Sequence, residues 1–370
     1  MWRKANRIRL ISALTSCLVV LPATGCHGAA GDDDDDGAAD ADADADTDAD
    51  TDADADTDTD TDTDTDSNSD PGVIEMDCSN CPSVGSTLEH MACAFDLCDG
   101  NVVLDQSYTT PCPFSYCAIE DTYEAVAHFG LATNGLAPKL NGSYALVATG
   151  PATGTEHTTW CDSMCGLPDP WSSENYQTYD IVKWRLILKA PDEALGFRFK
   201  YVFFSEEYDD FISTMFNDKF YAILEAGSTN DGNPTIINFT DCREPNVYWD
   251  FVCQAGDEAC EEGQKYCYIA INSAFSDCCW YNNCPDGYSS DVGTNIAGTG
   301  YECASSSMDD GPHKGSSTGW LQTSWPINSG ETFAITFHLH DTSDGVYDSQ
   351  VILDAFEFLK EPDQGTVPIE

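Results

Sequence analysis

The 370-residue chain carries 65 acidic against 15 basic side chains, a formal charge of −50. The stretch Gly31–Asp70 holds 20 aspartates and no Lys or Arg, and residues 71–370 still carry 45 acids against 11 bases. A body this acidic repels phosphate backbones, which argues against nucleic acid as a partner, while 11% aromatic content argues for a folded core.

The chain opens with an address. Arg3, Lys4, Arg7 and Arg9 form a basic head, and Leu10–Leu21 is a charge-free apolar run. That run is shorter than the roughly 20 residues of a membrane span and fits a secretory leader over residues 1–25. The segment Ala23-Thr24-Gly25-Cys26 resembles the lipobox of bacterial lipoproteins, which implies acylation of Cys26. His27 follows, and the absence of Asp at that place favours the outer membrane, with the domain exposed at the surface. The partner at this end is then outer-membrane lipid. A plain leader with an incidental Cys is the alternative.

Residues 26–70 read as a disordered linker. Alternating Ala-Asp and Thr-Asp buries nothing, and like charges at every second residue extend the chain. At about 3.3 Å per residue it reaches up to roughly 150 Å.

Sixteen cysteines follow: Cys78, Cys81, Cys93, Cys98, Cys112, Cys117, Cys161, Cys165, Cys242, Cys253, Cys260, Cys267, Cys278, Cys279, Cys284 and Cys303. An even number in an exported chain implies disulfides. Cys78 and Cys81 lack a second knuckle at zinc-ribbon spacing. Residues 71–118 read as a small Cys-rich helical segment, with a capping box at Ser86-Thr87-Leu88-Glu89 opening a helix through about Leu97. Asp121-Thr122-Tyr123-Glu124 is expected to open a second helix ending at Gly130.

From about Ser143 the period becomes two. Strands are expected at Ser143–Thr149, Ile181–Lys189, Gly196–Phe204, Lys219–Glu225, Thr235–Thr240, Val247–Cys253, Lys265–Asn272, Thr332–His340 and Gln350–Phe358. Phe197, Phe199, Tyr201 and Phe203 fall on one face against Arg198 and Lys200. Nine strands without helical crossovers predict a mainly β protein, an antiparallel, jelly-roll-like sandwich over residues 119–360 with a tail at 361–370. Ser273–Thr318, rich in Cys, Gly and Ser, reads as a disulfide-pinned insertion.

Three acidic clusters sit at strand ends: Glu206 and Glu207 after the aromatic strand, Asp218 before the next, and Asp341, Asp344 and Asp348 in the turn joining the last two strands. Crowded carboxylates repel one another, and a hard cation with six to eight oxygen ligands removes that cost. Calcium is therefore the expected cofactor. Solvated turns are the competing reading. His338 and His340 share one strand face at a spacing that suits imidazole ligands, but no third ligand is evident and an exposed sheet face is the preferred reading.

Phe203-Phe204-Ser205-Glu206-Glu207-Tyr208 followed by Phe216-Asn217-Asp218-Lys219-Phe220 resembles the signature of the choice-of-anchor L domain. The C-terminal half is similar too, through Gly319-Trp320-Leu321, Gly330-Glu331-Thr332, Asp341-Thr342, Asp344 and Asp348-Ser349-Gln350-Val351-Ile352-Leu353-Asp354. Gly142–Gly150 looks like the family's early strand, so the resemblance spans roughly Tyr123–Leu359. It implies a β-rich module of bacterial exported proteins carried on varied surface anchors, here the lipid on Cys26. His338 and His340 depart from the apolar residues of similar sequences.

The reading is a non-catalytic surface lipoprotein that binds or adheres, its ligand an extracellular surface or polysaccharide. Trp280, Tyr281, Trp320 and Trp325 serve either as sugar-stacking platforms or as core. No His-Glu-x-x-His helix is present. The alternatives are a hydrolase using Glu206 with Asp218 or Asp348 on a glycoside, and a purely structural envelope protein.

Overall fold

A computed structural model describes residues 72–369, except 156, 158–160, 164, 173–175, 208–210, 212–213, 243–248, 257–258, 272, 274–295 and 302–314. The leader, Cys26, the acidic linker, Cys278, Cys279, Cys284, Cys303, Trp280 and Tyr281 lie outside the described residues.

The strands in chain order are β1 (Val73–Ile74), β2 (Val103–Thr109), β3 (Tyr123–Val126), β4 (Tyr144–Ala148), β5 (Leu167–Pro168), β6 (Gln177–Lys189), β7 (Gly196–Ser205), β8 (Lys219–Glu225) and β9 (Thr235–Ile236). They continue as β10 (Phe239–Asp241), β11 (Phe251–Val252), β12 (Lys265–Ala270), β13 (Ser316–Ser317), β14 (Leu321–Pro326), β15 (Thr332–Thr342), β16 (Ser349–Leu359) and β17 (Gly365–Pro368). One sheet runs β17-β14-β7-β16-β4-β3 and the other β10-β12-β8-β15-β6-β2, with the two-residue strands on their margins. The pairings that build both sheets are antiparallel.

Alternation explains the layering. Phe197, Phe199, Tyr201 and Phe203 of β7 and Phe333, Ile335, Phe337 and Leu339 of β15 point into one shared core. The helix α1 (Leu88–Ala94) adds Met91, Ala92 and Ala94 to it. The helix begins one residue later than the capping box suggests: Thr87 is the cap, its hydroxyl accepting from the His90 N–H at 3.2 Å. At its end Phe95 meets the rings of Trp184, Phe199, Phe337 and Phe356, at 5.2 to 6.1 Å between centroids. Removing that ring opens a cavity both sheets line. Phe95→Ala is expected to cost about 3–5 kcal/mol in denaturant unfolding.

The second expected helix is a strand. The Asp121 side chain caps a single 3-10 turn, Ile119–Thr122, by accepting from the Ala118 N–H at 2.9 Å. Tyr123 and Ala125 then alternate inward as β3 pairs with β4. A short apolar pattern of this kind fits either period, and the open edge of β4 decides it. The predicted Thr235–Thr240 strand divides into β9 and β10, which pair with β8 and β12 respectively. The Cys-rich stretch supplies both α1 and the edge strand β2, and the expected tail pairs as β17 with β14.

Among the described residues, six disulfides join Cys78–Cys98, Cys81–Cys93, Cys112–Cys165, Cys117–Cys161, Cys242–Cys267 and Cys253–Cys260. Cys242–Cys267 ties a loop to β12 and Cys81–Cys93 ties one to α1, while the other four join irregular segments to one another.

A buried carboxyl pair locks α1 to β16. Asp96 takes a positive φ of 64° after the helix, with Leu97 N–H bonded to Ala92 O at 2.9 Å, a Schellman arrangement usually closed by Gly. Its carboxylate accepts from Asn141 Nδ2 at 2.6 Å and from the Ala355 N–H at 3.0 Å, where β16 bulges. Burial raises Asp96 to about 6 and neighbouring Asp354 to about 8. The folded state thus keeps a proton on Asp354 that the unfolded chain releases near pH 4, so stability falls as pH rises from about 4 through about 8. Asp354→Asn cannot ionise and is expected to flatten this slope, melting higher than the wild type at pH 8 and alike at pH 4.

Candidate functional site

The acidic clusters meet because of register. Ser205 at the end of β7 pairs with Ser349 at the start of β16, so Glu206 and Asp348 lie across from one another, joined by Glu206 N–H to Asp348 O at 3.2 Å. In the other sheet His340 pairs with Lys219 and Asp341 with Tyr179, which brings Asp218, Asp341 and Asp180 together. The β15–β16 turn crosses between the sheets and carries Asp344 and Asp348. Strand ends from both layers therefore share one rim.

At that rim Glu206, Glu207, Asp218, Asp341, Asp348 and Asp180 are all buried; Asp344 is half-buried. Asp218 is held most firmly. It accepts from the Thr342 N–H at 2.9 Å, from Ser349 Oγ at 2.7 Å and from Ser205 Oγ at 3.4 Å. Glu207 hydrogen-bonds to the Asp218 carboxyl, and its N–H is bonded to Ser205 Oγ at 3.1 Å. Asp180 accepts from the Ser163 N–H, and its own N–H donates to Ser163 Oγ at 2.8 Å.

Burial is the main cause that pushes Asp180, Glu207, Asp218, Asp341, Asp344 and Asp348 upward, and neighbouring carboxyls add to it. Asp218 and Asp180 are raised to about 7, and Glu207, Asp341 and Asp348 well above their usual range. Among the described residues Asp218, Asp341, Asp348, Asp180 and Glu207 form no ion pair. Both carboxylate oxygens of Asp341, Oδ2 of Asp348 and Oε2 of Glu207 are buried without a hydrogen-bond partner. The Tyr301 hydroxyl is buried against the same carboxyls, and its ring stacks on His157 at 3.9 Å.

Two glycines shape the cradle. A Cβ built on Gly150 would overlap the Asp348 carboxylate, and one on Gly345 would overlap that of Asp180. Backbone gives way to carboxylate at both places. Among the described residues, no three His, Cys, Asp or Glu side chains are drawn in to a closed metal-holding set. The donors are all oxygens, the type a hard cation takes, and their unpartnered atoms are buried.

Residues 193–359 match the family model of the Choice-of-anchor L domain. Over that segment the chain is similar to the choice-of-anchor L family. No curated protein and no solved structure matches the chain. A choice-of-anchor domain marks a cell-surface or exported protein, here with a β-sandwich fold.

The choice-of-anchor L segment supplies Glu206, Glu207, Asp218, Asp341, Asp344 and Asp348, while Asp180 lies in β6 and Gly150 just after β4, both ahead of it. Asp180 escaped the sequence reading although, like Asp218, it directly precedes a predicted strand. Its register beside Asp341 is what places it at the rim.

His338 and His340 are not on an exposed face. Both are buried on the side of β15 turned away from the core, beneath the segment that carries Asp169. Alternation fixes which way a strand residue points, and this face is covered. Trp320 and Trp325 are buried as well, which leaves them as packing residues.

The close approach at Gly150 gives a direct check. Gly150→Ala is expected to displace the Asp348 carboxylate and to lower stability by about 1–3 kcal/mol in thermal melts. Gly100→Ala, where a Cβ meets no atom within 4 Å, should stay within about 0.5 kcal/mol of the wild type.

Proposed function

We propose that the protein is a non-catalytic surface lipoprotein whose choice-of-anchor L sandwich binds an extracellular ligand and is completed by calcium at the carboxyl-lined rim. The observation that carries this is the set of buried carboxyls at the meeting of the two sheets, several oxygens of which have no partner. Without a cation the cluster keeps protons that carboxyls normally lose. A calcium ion supplies the countercharge, and Asp341, Asp348, Glu207 and Asp218 are the residues to hold it.

The anchor in this reading is outer-membrane lipid on Cys26, with residues 26–70 as the spacer. Six disulfides support an oxidising, exported setting. Polysaccharide is the first ligand class to test. Trp171, Phe239, Phe251 and Tyr268 line a cavity of about 580 Å³, and aromatic rings suit stacking against sugars. The hydrolase reading is less well supported, because a glycosidase needs its carboxyl pair facing an open cleft. Glu206, Asp218 and Asp348 are buried instead.

The test combines calcium and ligand. In full-length protein, calcium at a hundred times its dissociation constant should add about 2.7 kcal/mol of stability, chelator should remove it, and Asp348→Asn should be insensitive to both. Glycan-array or cell adhesion should weaken with chelator. Identical melts in calcium and chelator, with no heat of binding, would sink the calcium reading.

A further inference from the structure

The outer face of β15 carries a second polar cluster of different chemistry. Leu339 points into the core, so His338 and His340 emerge together on the opposite side, their ring centroids 5.1 Å apart. In register, His338 lies between Lys183 of β6 and Tyr221 of β8, and His340 lies beside Lys219. The Tyr221 ring packs edge-on to both imidazoles, at 5.5 and 5.3 Å. Its hydroxyl donates to Asp169 Oδ2 at 2.6 Å, and that same oxygen stands 3.9 Å from His340 Nε2. Lys219 is engaged elsewhere, its Nζ donating to Asp250 Oδ1 at 2.6 Å and to Ser172 Oγ at 3.2 Å.

The histidines are the anomaly. His338 is 4% and His340 0% exposed, and all four ring nitrogens are buried without a hydrogen-bond partner among the described residues. A buried imidazole normally donates from one nitrogen and accepts at the other. Two adjacent rings that do neither, with a carboxylate next to them, are short of a ligand that accepts nitrogen lone pairs. A proton donor fills that need one nitrogen at a time; a metal ion takes one from each ring at once.

We propose that His338, His340 and Asp169 hold a divalent transition-metal ion, with zinc the first candidate. Nitrogen donors select such an ion over calcium, so this site is separate in chemistry from the oxygen-lined rim. Two ligands at zinc–donor distances of about 2.0–2.1 Å stand roughly 3.3 Å apart in a tetrahedron. Asp169 Oδ2 therefore has about half an ångström to close toward His340, with rotation of the rings. Three protein donors leave the fourth position for water. The metal would pin the segment that follows β5 onto the sheet, next to the aromatic cavity that Trp171 and Tyr268 share.

The test is zinc calorimetry on the full-length protein, stripped with chelator and returned to excess calcium so that the rim does not contribute. One equivalent of zinc binding at micromolar Kd or tighter is expected, and cobalt in its place should give the visible absorption of a tetrahedral nitrogen and oxygen site. His340→Phe and His338→Phe, which keep a ring in each buried position, should weaken zinc at least 100-fold, and Asp169→Asn about tenfold. Zinc binding that is absent, or equal in wild type and in His340→Phe, overturns the proposal. Should the variants fail to fold, the wild-type cobalt spectrum decides: no visible band overturns it as well.

Discussion

Mutual repulsion among buried carboxyl groups is the constraint on which one end of this sandwich depends. Charged side chains seldom enter a protein interior unless something opposite in sign enters with them. Here Glu207, Asp218, Asp341, Asp348 and Asp180 are buried together, and the chain supplies hydroxyls and N–H groups rather than cations. Retained protons offset the repulsion in the metal-free state. A divalent cation would do so with the carboxyls ionised, making the rim a place where ion binding and fold stability are one quantity.

The rest of the architecture brings those groups to that place. The β15–β16 turn passes from one sheet to the other, so the strands it joins lie in opposite layers and their ends share a rim. Ser205, Ser349 and Thr342 stand at these ends and direct their hydrogen bonds onto Asp218. Gly150 and Gly345 leave room for the carboxylates of Asp348 and Asp180. Away from the rim the sandwich is conventional, an aromatic core centred on Phe95 and held by rings from both sheets. Irregular segments outside that core rely on disulfides, an economy of apolar surface open to exported proteins.

Much of the sheet was legible because strand alternation is a local property. The β7 rings and the β15 apolar residues each declare their inward face in seven or eight residues of sequence. Lys219–Glu225 was placed to the residue, and β6, β7, β15 and β16 within a few. Where local signals compete, the reading failed. Asp121 carries a genuine capping signal, yet it caps one turn before the chain becomes β3. β2, β14 and β17 lack a strong alternating pattern of large apolar residues, and they are strands because neighbouring edges offer them hydrogen bonds.

The sequence by itself determined the fold class, the pairing-competent number of cysteines, the choice-of-anchor L signature and the positions of the acidic groups at strand ends. These follow from composition, spacing and a period of two, all readable along the chain. Tertiary structure alone decided that Asp180 joins the acidic rim, that Gly150 makes room for Asp348, and that His338 and His340 are covered. The physical reason is common to all three. Alternation says toward which side a residue points, whereas what lies on that side is contributed by strands and segments tens to hundreds of residues away, through a register no local pattern encodes.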